Sequence, residues 1–132
     1  MRMITAFVAA ERLESICARL TREGIVGMTV TQCCGHGRDV VLVASINGGP
    51  DIPDLLPTTM IEVAVTGSQL NKAMRAILVA SRSEGGGQGK ILVRPLESVI
   101  DFRTGAESGD GSILDRTVKS RELPTNLSSD MR

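Results

Sequence analysis

Aromatic side chains are nearly missing from this sequence: two Phe, no Tyr and no Trp among 132 residues. Modules that grip single-stranded nucleic acid stack bases on aromatic platforms, and Phe7 and Phe102 alone do not make one. There is no surplus of either charge sign. Lys plus Arg is 15 and Asp plus Glu is 15, so the formal net charge is 0. Proteins that track a phosphate backbone carry a strong basic excess, and no nucleic-acid partner is expected. A lone histidine, His36, removes most His-based metal sites and leaves any Ser–His or Cys–His chemistry resting on one residue. Three cysteines, with Cys33 and Cys34 adjacent, are an odd set for a secreted disulfide frame and read as reduced thiols of a cytoplasmic protein. C-x-x-C is absent, and adjacent cysteines on a strand point to opposite sides, so no metal site is expected. No apolar run approaches the ~20 residues that cross a bilayer. The start, Met1 to Phe7, alternates like a strand and lacks a signal peptide's apolar centre.

What is present suffices for one domain. At 42% hydrophobic and 23% charged residues the chain can bury a real core and is too apolar for wholesale disorder. Met3 to Val8 reads as a strand. Leu13, Ile16, Cys17 and Leu20 recur at helical spacing and Gly24 stands at the C-terminal cap, which predicts a helix over about 11–23. Met28 to Thr31 alternates as a second strand, broken at Gly35-His36-Gly37. Residues 39–57 form a long connection with an apolar stretch, Val40 to Ala44, and a turn cluster, Asn47 to Pro50. Met60 to Val65 is the third strand, with Ile61, Val63 and Val65 on one side and Met60 and Ala64 on the other. Ser68 is placed to cap a second helix whose apolar face holds Leu70, Met74, Ile77 and Leu78. A glycine-rich loop over 82–89 precedes a fourth strand, Ile91 to Val93, stopped by Pro95; a short strand, Val99 to Arg103, follows. Beyond Gly105 the chain turns polar, and the last ~25 residues read as a loose tail.

The order β-α-β, long loop, β-α-β predicts an α+β, ferredoxin-like βαββαβ sandwich. Two helices cover one sheet face. The other is also apolar, so self-association is expected.

Few residues carry chemistry. Gly85-Gly86-Gly87-Gln88-Gly89-Lys90 offers backbone N–H groups and a cation to a phosphate, or is a flexible connector. It is not a Walker A loop, because Ile91 replaces the Ser/Thr and a strand follows instead of a helix. Gly35-His36-Gly37-Arg38 is a second glycine-flanked cation, or a hairpin exit. Glu62, the one charge within the third strand, either faces solvent or hydrogen-bonds something specific. Asp101 and Arg103 share a strand face and read as a local ion pair. With no paired carboxylates and no nucleophile beside a base, an enzyme is not expected; a heavy-metal chaperone on the same scaffold would need C-x-x-C.

Together these residues carry a resemblance. Residues 1 to about 112 resemble the PII signal-transduction family, the trimeric sensors associated with nitrogen regulation. Gly24-Ile25-Val26-Gly27-Met28-Thr29-Val30-Thr31 and Gly35-His36-Gly37-Arg38 are similar to the family's GI-x-GMTV and GFGR segments. Leu56-Pro57, Glu62, Gly87-Gln88-Gly89-Lys90-Ile91 and Arg103-Thr104-Gly105 fall at its spacings. The likeness implies a homotrimer with an adenine nucleotide (ADP, AMP or ATP) in each of three inter-subunit clefts and no catalytic cofactor. It implies a protruding T-loop at about 37–55, a B-loop at about 82–90 and a C-loop at about 96–108, ahead of a flexible tail over 113–132. Carried over, Thr29 and Glu62 serve the base and ribose, Gly35, Gly37, Arg38, Gly87, Gly89 and Lys90 hold phosphates, and Arg103 reaches them from the adjacent subunit. Val40, Val41, Leu42, Val43 and Ile46 would present the T-loop to a docked transporter or enzyme.

The sequence also departs from the family. Asp39 stands in place of the Gln that helps hold Mg and 2-oxoglutarate, which leaves Mg open. Thr58 replaces the Lys that pairs the effector carboxylate, Asp101 replaces an Arg, and Asp51 occupies the commonly modified Tyr position. These departures resemble variants associated with inorganic carbon uptake and carbon fixation, with bicarbonate as a small anion near Gly37, Arg38 and Asp39. The alternative is a nitrogen-regulatory member responding to ATP and 2-oxoglutarate.

Overall fold

A computed structural model describes residues 1–35, 56–82 and 89–115. Strand β1 (Arg2–Val8) leads through a 3₁₀ turn (Ala10–Arg12) into helix α1 (Leu13–Arg22). Strand β2 (Thr29–Gly35), strand β3 (Leu56–Val65), helix α2 (Leu70–Ser81) and strand β4 (Lys90–Pro95) complete the sandwich. A two-stranded ribbon, β5 (Val99–Ile100) with β6 (Glu107–Ser108), and a 3₁₀ turn (Ser112–Asp115) follow. The main sheet has the order β2-β3-β1-β4 with every neighbouring pair antiparallel, which is the ferredoxin-like arrangement expected from the element order.

The register explains the core. Ile4 lies opposite Val63 and Val93, and Ala6 opposite Ile61 and Ile91, so one set of alternate residues from three strands shares a face. Ile4, Ala6, Val8, Ile61, Val63 and Val65 on that face are buried against Ile16 and Leu20 of α1 and Ala73, Ala76, Ile77 and Ala80 of α2. Each fully buried Ile or Leu contributes roughly 1.5–3 kcal/mol. The buried side of α2 is alanine-rich. Leu78, predicted to lie inward, is 46% exposed, while the short alanine side chains meet the core.

α1 ends where the glycine signal placed it. Gly24 adopts φ +79°; its N–H donates to the Thr21 carbonyl at 3.0 Å, and the Ile25 N–H donates to Leu20 at 2.9 Å. This is a Schellman cap, and Ile25 is buried beneath it. The start of α2 differs from expectation. The Ser68 hydroxyl lies 3.0 Å from the Thr66 hydroxyl instead of capping the helix, and the Gln69 side chain accepts the Thr66 N–H at 3.2 Å. β2 runs to the expected break at Gly35, with Cys33 and Cys34 within it, and β3 begins earlier than its alternation suggested, at Leu56. Cys33 donates to the Thr58 carbonyl at 3.6 Å, and Cys34 is exposed.

Past Gly105 a defined knot replaces the expected looseness as far as residue 115. The Ser108 hydroxyl donates to Asp110 Oδ1 at 2.7 Å, and that oxygen also accepts the Ser112 N–H at 2.9 Å. These bonds, the Ser108 one first, hold the Asp110 carboxyl down at about 2, from the usual 3.8. A carboxyl depressed in the folded state contributes stability above its unfolded value and loses it as pH falls through the folded one. The knot is therefore intact above pH about 4 and released towards pH about 2. An NMR titration should give Asp110 a midpoint near 2; one near 3.8 would contradict the bonding described.

Gly89, at the entry to β4, has φ +121°, and a Cβ there would run into the Phe7 carbonyl oxygen. Any side chain must push β4 away from β1. Gly89→Ala is expected to destabilise the fold by about 1–3 kcal/mol, seen as a drop of several degrees in Tm. Gly67→Ala, with open space around it, serves as the control. Equal midpoints for the two variants would overturn this reading of Gly89.

Candidate ligand cleft on the open sheet face

The residues that alternate with the core face away from the helices. Thr5 lies opposite Glu62, which lies opposite Thr29, so three strands set these side chains in one row. Next to the row is a cleft of about 300 Å³. Met3, Ile25, Val26, Met28, Ala64 and Leu114 supply its apolar wall, and Thr29, Glu62 and Gln69 its polar groups. The Schellman turn at Gly24 directs residues 25–28 along the edge of the cleft before β2 begins. A mostly apolar hollow with a few convergent polar groups is the usual form of a small-molecule site.

Glu62 is held from one side. Its Oε1 accepts the Thr5 hydroxyl at 3.3 Å and Arg94 Nη2 at 3.0 Å. Met3 is opposite Arg94 while Thr5 is opposite Glu62, so the guanidinium reaches diagonally across β1. Exposure of 59% for the Arg94 side chain and 26% for that of Glu62 keeps the stability contribution within about 0–1 kcal/mol. Of the two alternatives open for Glu62, the specific hydrogen bond is the one formed.

The other phosphate-associated residues lie elsewhere. Gly35 ends β2 opposite Leu56, six residues from Thr29, which is roughly 20 Å along a strand. Gly89 and Lys90 open β4 on the opposite edge of the sheet; Lys90 is exposed and opposite Phe7, two residues along β1 from Thr5. Arg103 is exposed in the turn joining the ribbon strands and does not line the cleft. Its expected ion pair with Asp101 is replaced by a backbone turn. The Asp101 carboxylate accepts the N–H groups of Arg103 at 2.7 Å and Thr104 at 3.4 Å, because a short acidic side chain folds back onto its own turn. Thr58 donates its hydroxyl to the Val8 carbonyl at 3.4 Å. Gly37, Arg38, Asp39, Val40, Val41, Leu42, Val43, Ile46 and Gly87 lie outside the described residues. The structure therefore brings Thr29 and Glu62 together and leaves Gly35 and the Gly89–Lys90 pair on opposite edge strands.

Sequence reasoning missed Gln69, Ala64, Leu114, Thr5 and Arg94. Arg94 is separated by one residue from Leu92 and so shares its face, but its partner is visible only once β1 is known to lie between β3 and β4.

Fold and cleft together define a ferredoxin-like α+β domain with a small-molecule hollow on its uncovered face. The sequence profile of the family described as nitrogen regulatory protein P-II matches residues 1–106. The chain is 36% identical over 110 residues to a nitrogen regulatory protein P-II of Azospirillum brasilense, covering 83% of this chain and 98% of that protein. It is 34% identical over 113 residues to nitrogen regulatory protein P-II 2 of Methanothermobacter thermautotrophicus, covering 86% and 97%. A Nostoc punctiforme relative of the same description is 31% identical over 108 residues, covering 82% and 96%. The chain belongs to the P-II family, whose members are regulatory signal-transduction proteins and not enzymes. Among the described residues no helix is long and apolar enough to cross a membrane.

Proposed function

We propose that this P-II protein senses adenine nucleotides, ADP or AMP foremost, in sites each completed by two copies of the chain. The observation that carries the reading is that one chain sets Gly35 on β2 and Gly89 and Lys90 at β4, the two edge strands, and that none of them lines the Thr29–Glu62 cleft. An apolar hollow beside a carboxylate suits a nucleoside, whose base needs desolvated walls and whose ribose offers hydroxyl donors. Glycines with a lysine suit phosphates. A single nucleotide spans both halves if they come from neighbouring copies, and a head-to-tail contact that repeats and closes makes a ring. Three-fold closure also covers the apolar groups of the open face. Occupancy is then relayed through residues 37–55 to a docked transporter or enzyme.

Two readings of the second effector stand side by side. The curated relatives are named for nitrogen regulation, which favours ATP with 2-oxoglutarate. Asp39, Thr58 and Asp101 favour the other reading, an adenylate with a small anion such as bicarbonate in the control of inorganic carbon supply. A dicarboxylate needs cationic or amide partners. Thr58 offers a hydroxyl already donated to Val8, and Asp39 adds like charge.

Calorimetry tests both levels. Charge-assisted bonds to phosphate are worth roughly 1.5–3 kcal/mol, so Lys90→Ala should weaken ADP about ten- to hundredfold. An unchanged Kd would refute the phosphate role. With ATP and Mg present, 2-oxoglutarate should show no micromolar binding; tight binding would establish the nitrogen-regulatory reading in place of the carbon one.

A further inference from the structure

We propose that Arg94 is the positioning residue for ribose recognition, aiming the Glu62 carboxylate into the cleft. The inference rests on the nucleotide reading above and adds to it a residue outside the cleft wall. Glu62 Oε1 already accepts two hydrogen bonds, from Thr5 and Arg94, whereas Oε2 accepts none from the described residues. A carboxylate gripped by one oxygen has its torsion set, and the second oxygen keeps both lone pairs for a ligand. Glu62 lines the cleft together with Thr29 and Gly27, and Arg94 does not. The natural complement of an open carboxylate oxygen beside an apolar hollow is a pair of neighbouring hydroxyls, each an O–H donor, as on a ribose. The contact is one charge-assisted bond, from Arg94 Nη2 to Glu62 Oε1 at 3.0 Å, which fixes that oxygen by direction as well as charge. Thr5, only 5% exposed, supplies the second restraint from the strand between them.

Unrestrained, Glu62 would still be present and still acidic, but it would sample several rotamers and recognise the hydroxyls less well. The predicted signature is thus a loss of discrimination between sugars and not a general loss of binding. The test compares ADP with 2′,3′-dideoxy-ADP by calorimetry in the wild-type protein and in Arg94→Ala, Arg94→Lys and Thr5→Val. Wild-type protein should favour ADP by about tenfold or more, and Arg94→Ala should narrow that ratio by about fivefold, the worth of one hydrogen bond. Arg94→Lys should keep most of the discrimination, and Thr5→Val should move the ratio in the same direction as Arg94→Ala. A ratio unchanged in Arg94→Ala, or equal weakening of both nucleotides, overturns the positioning role while leaving the nucleotide reading intact. Absence of ADP binding in the wild-type arm overturns the nucleotide reading, and this inference with it.

Discussion

The two helices among the described residues cover one face of a four-stranded sheet, and the rest of this structure follows from the face they leave open. β1 lies between β3 and β4 and sends Ile4, Ala6 and Val8 towards α1 and α2. The same alternation sends Met3, Thr5 and Phe7 to the uncovered side, where they meet Met60, Glu62, Ala64, Leu92 and Arg94. A face that mixes methionine, phenylalanine and leucine with an ion pair is poorly suited to bulk water and too polar for a sealed core. It is suited to a boundary at which another copy and a ligand are both accommodated.

The polar groups on that face are economical in number and specific in position. Thr5, Glu62 and Thr29 fall in one row because the register of three strands puts them there, and Arg94 joins by crossing β1. Their contribution to folding is small, since exposed ion pairs are weak. Their significance lies in direction: they leave one carboxylate oxygen open beside apolar walls. Other restraints serve the frame. Gly89 lets β4 approach the Phe7 carbonyl, and the Asp101 and Asp110 carboxylates close turns beyond β4.

The fold was legible where burial repeats with a simple period. Ile61, Val63 and Val65 alternate strictly, and Gly24 marks a helix end that only a residue tolerant of positive φ can make. Reading failed where tertiary contact outweighs local preference. Leu78 looked like core and is exposed, because alanines allow α2 to sit close. Ser68 looked like a cap but lies against Thr66. The stretch from about residue 108 looked loose because serine, glycine and aspartate are common in flexible chain, and here Ser108, Asp110 and Ser112 bond one another. In the candidate site Thr29 and Glu62 were legible through family resemblance and prove adjacent. Arg94 was not, because a partner two strands away leaves no periodic trace.

The claim that each site needs two chains is tested most directly by subunit complementation. Glu62→Ala and Lys90→Ala each disable one half of the proposed site. Co-assembly of the two variants in equal amounts should recover ADP binding at about a quarter of the sites, since random neighbours in a closed ring pair two intact halves that often. No recovery in mixed assemblies of demonstrated composition would contradict the account and return both halves to a single chain.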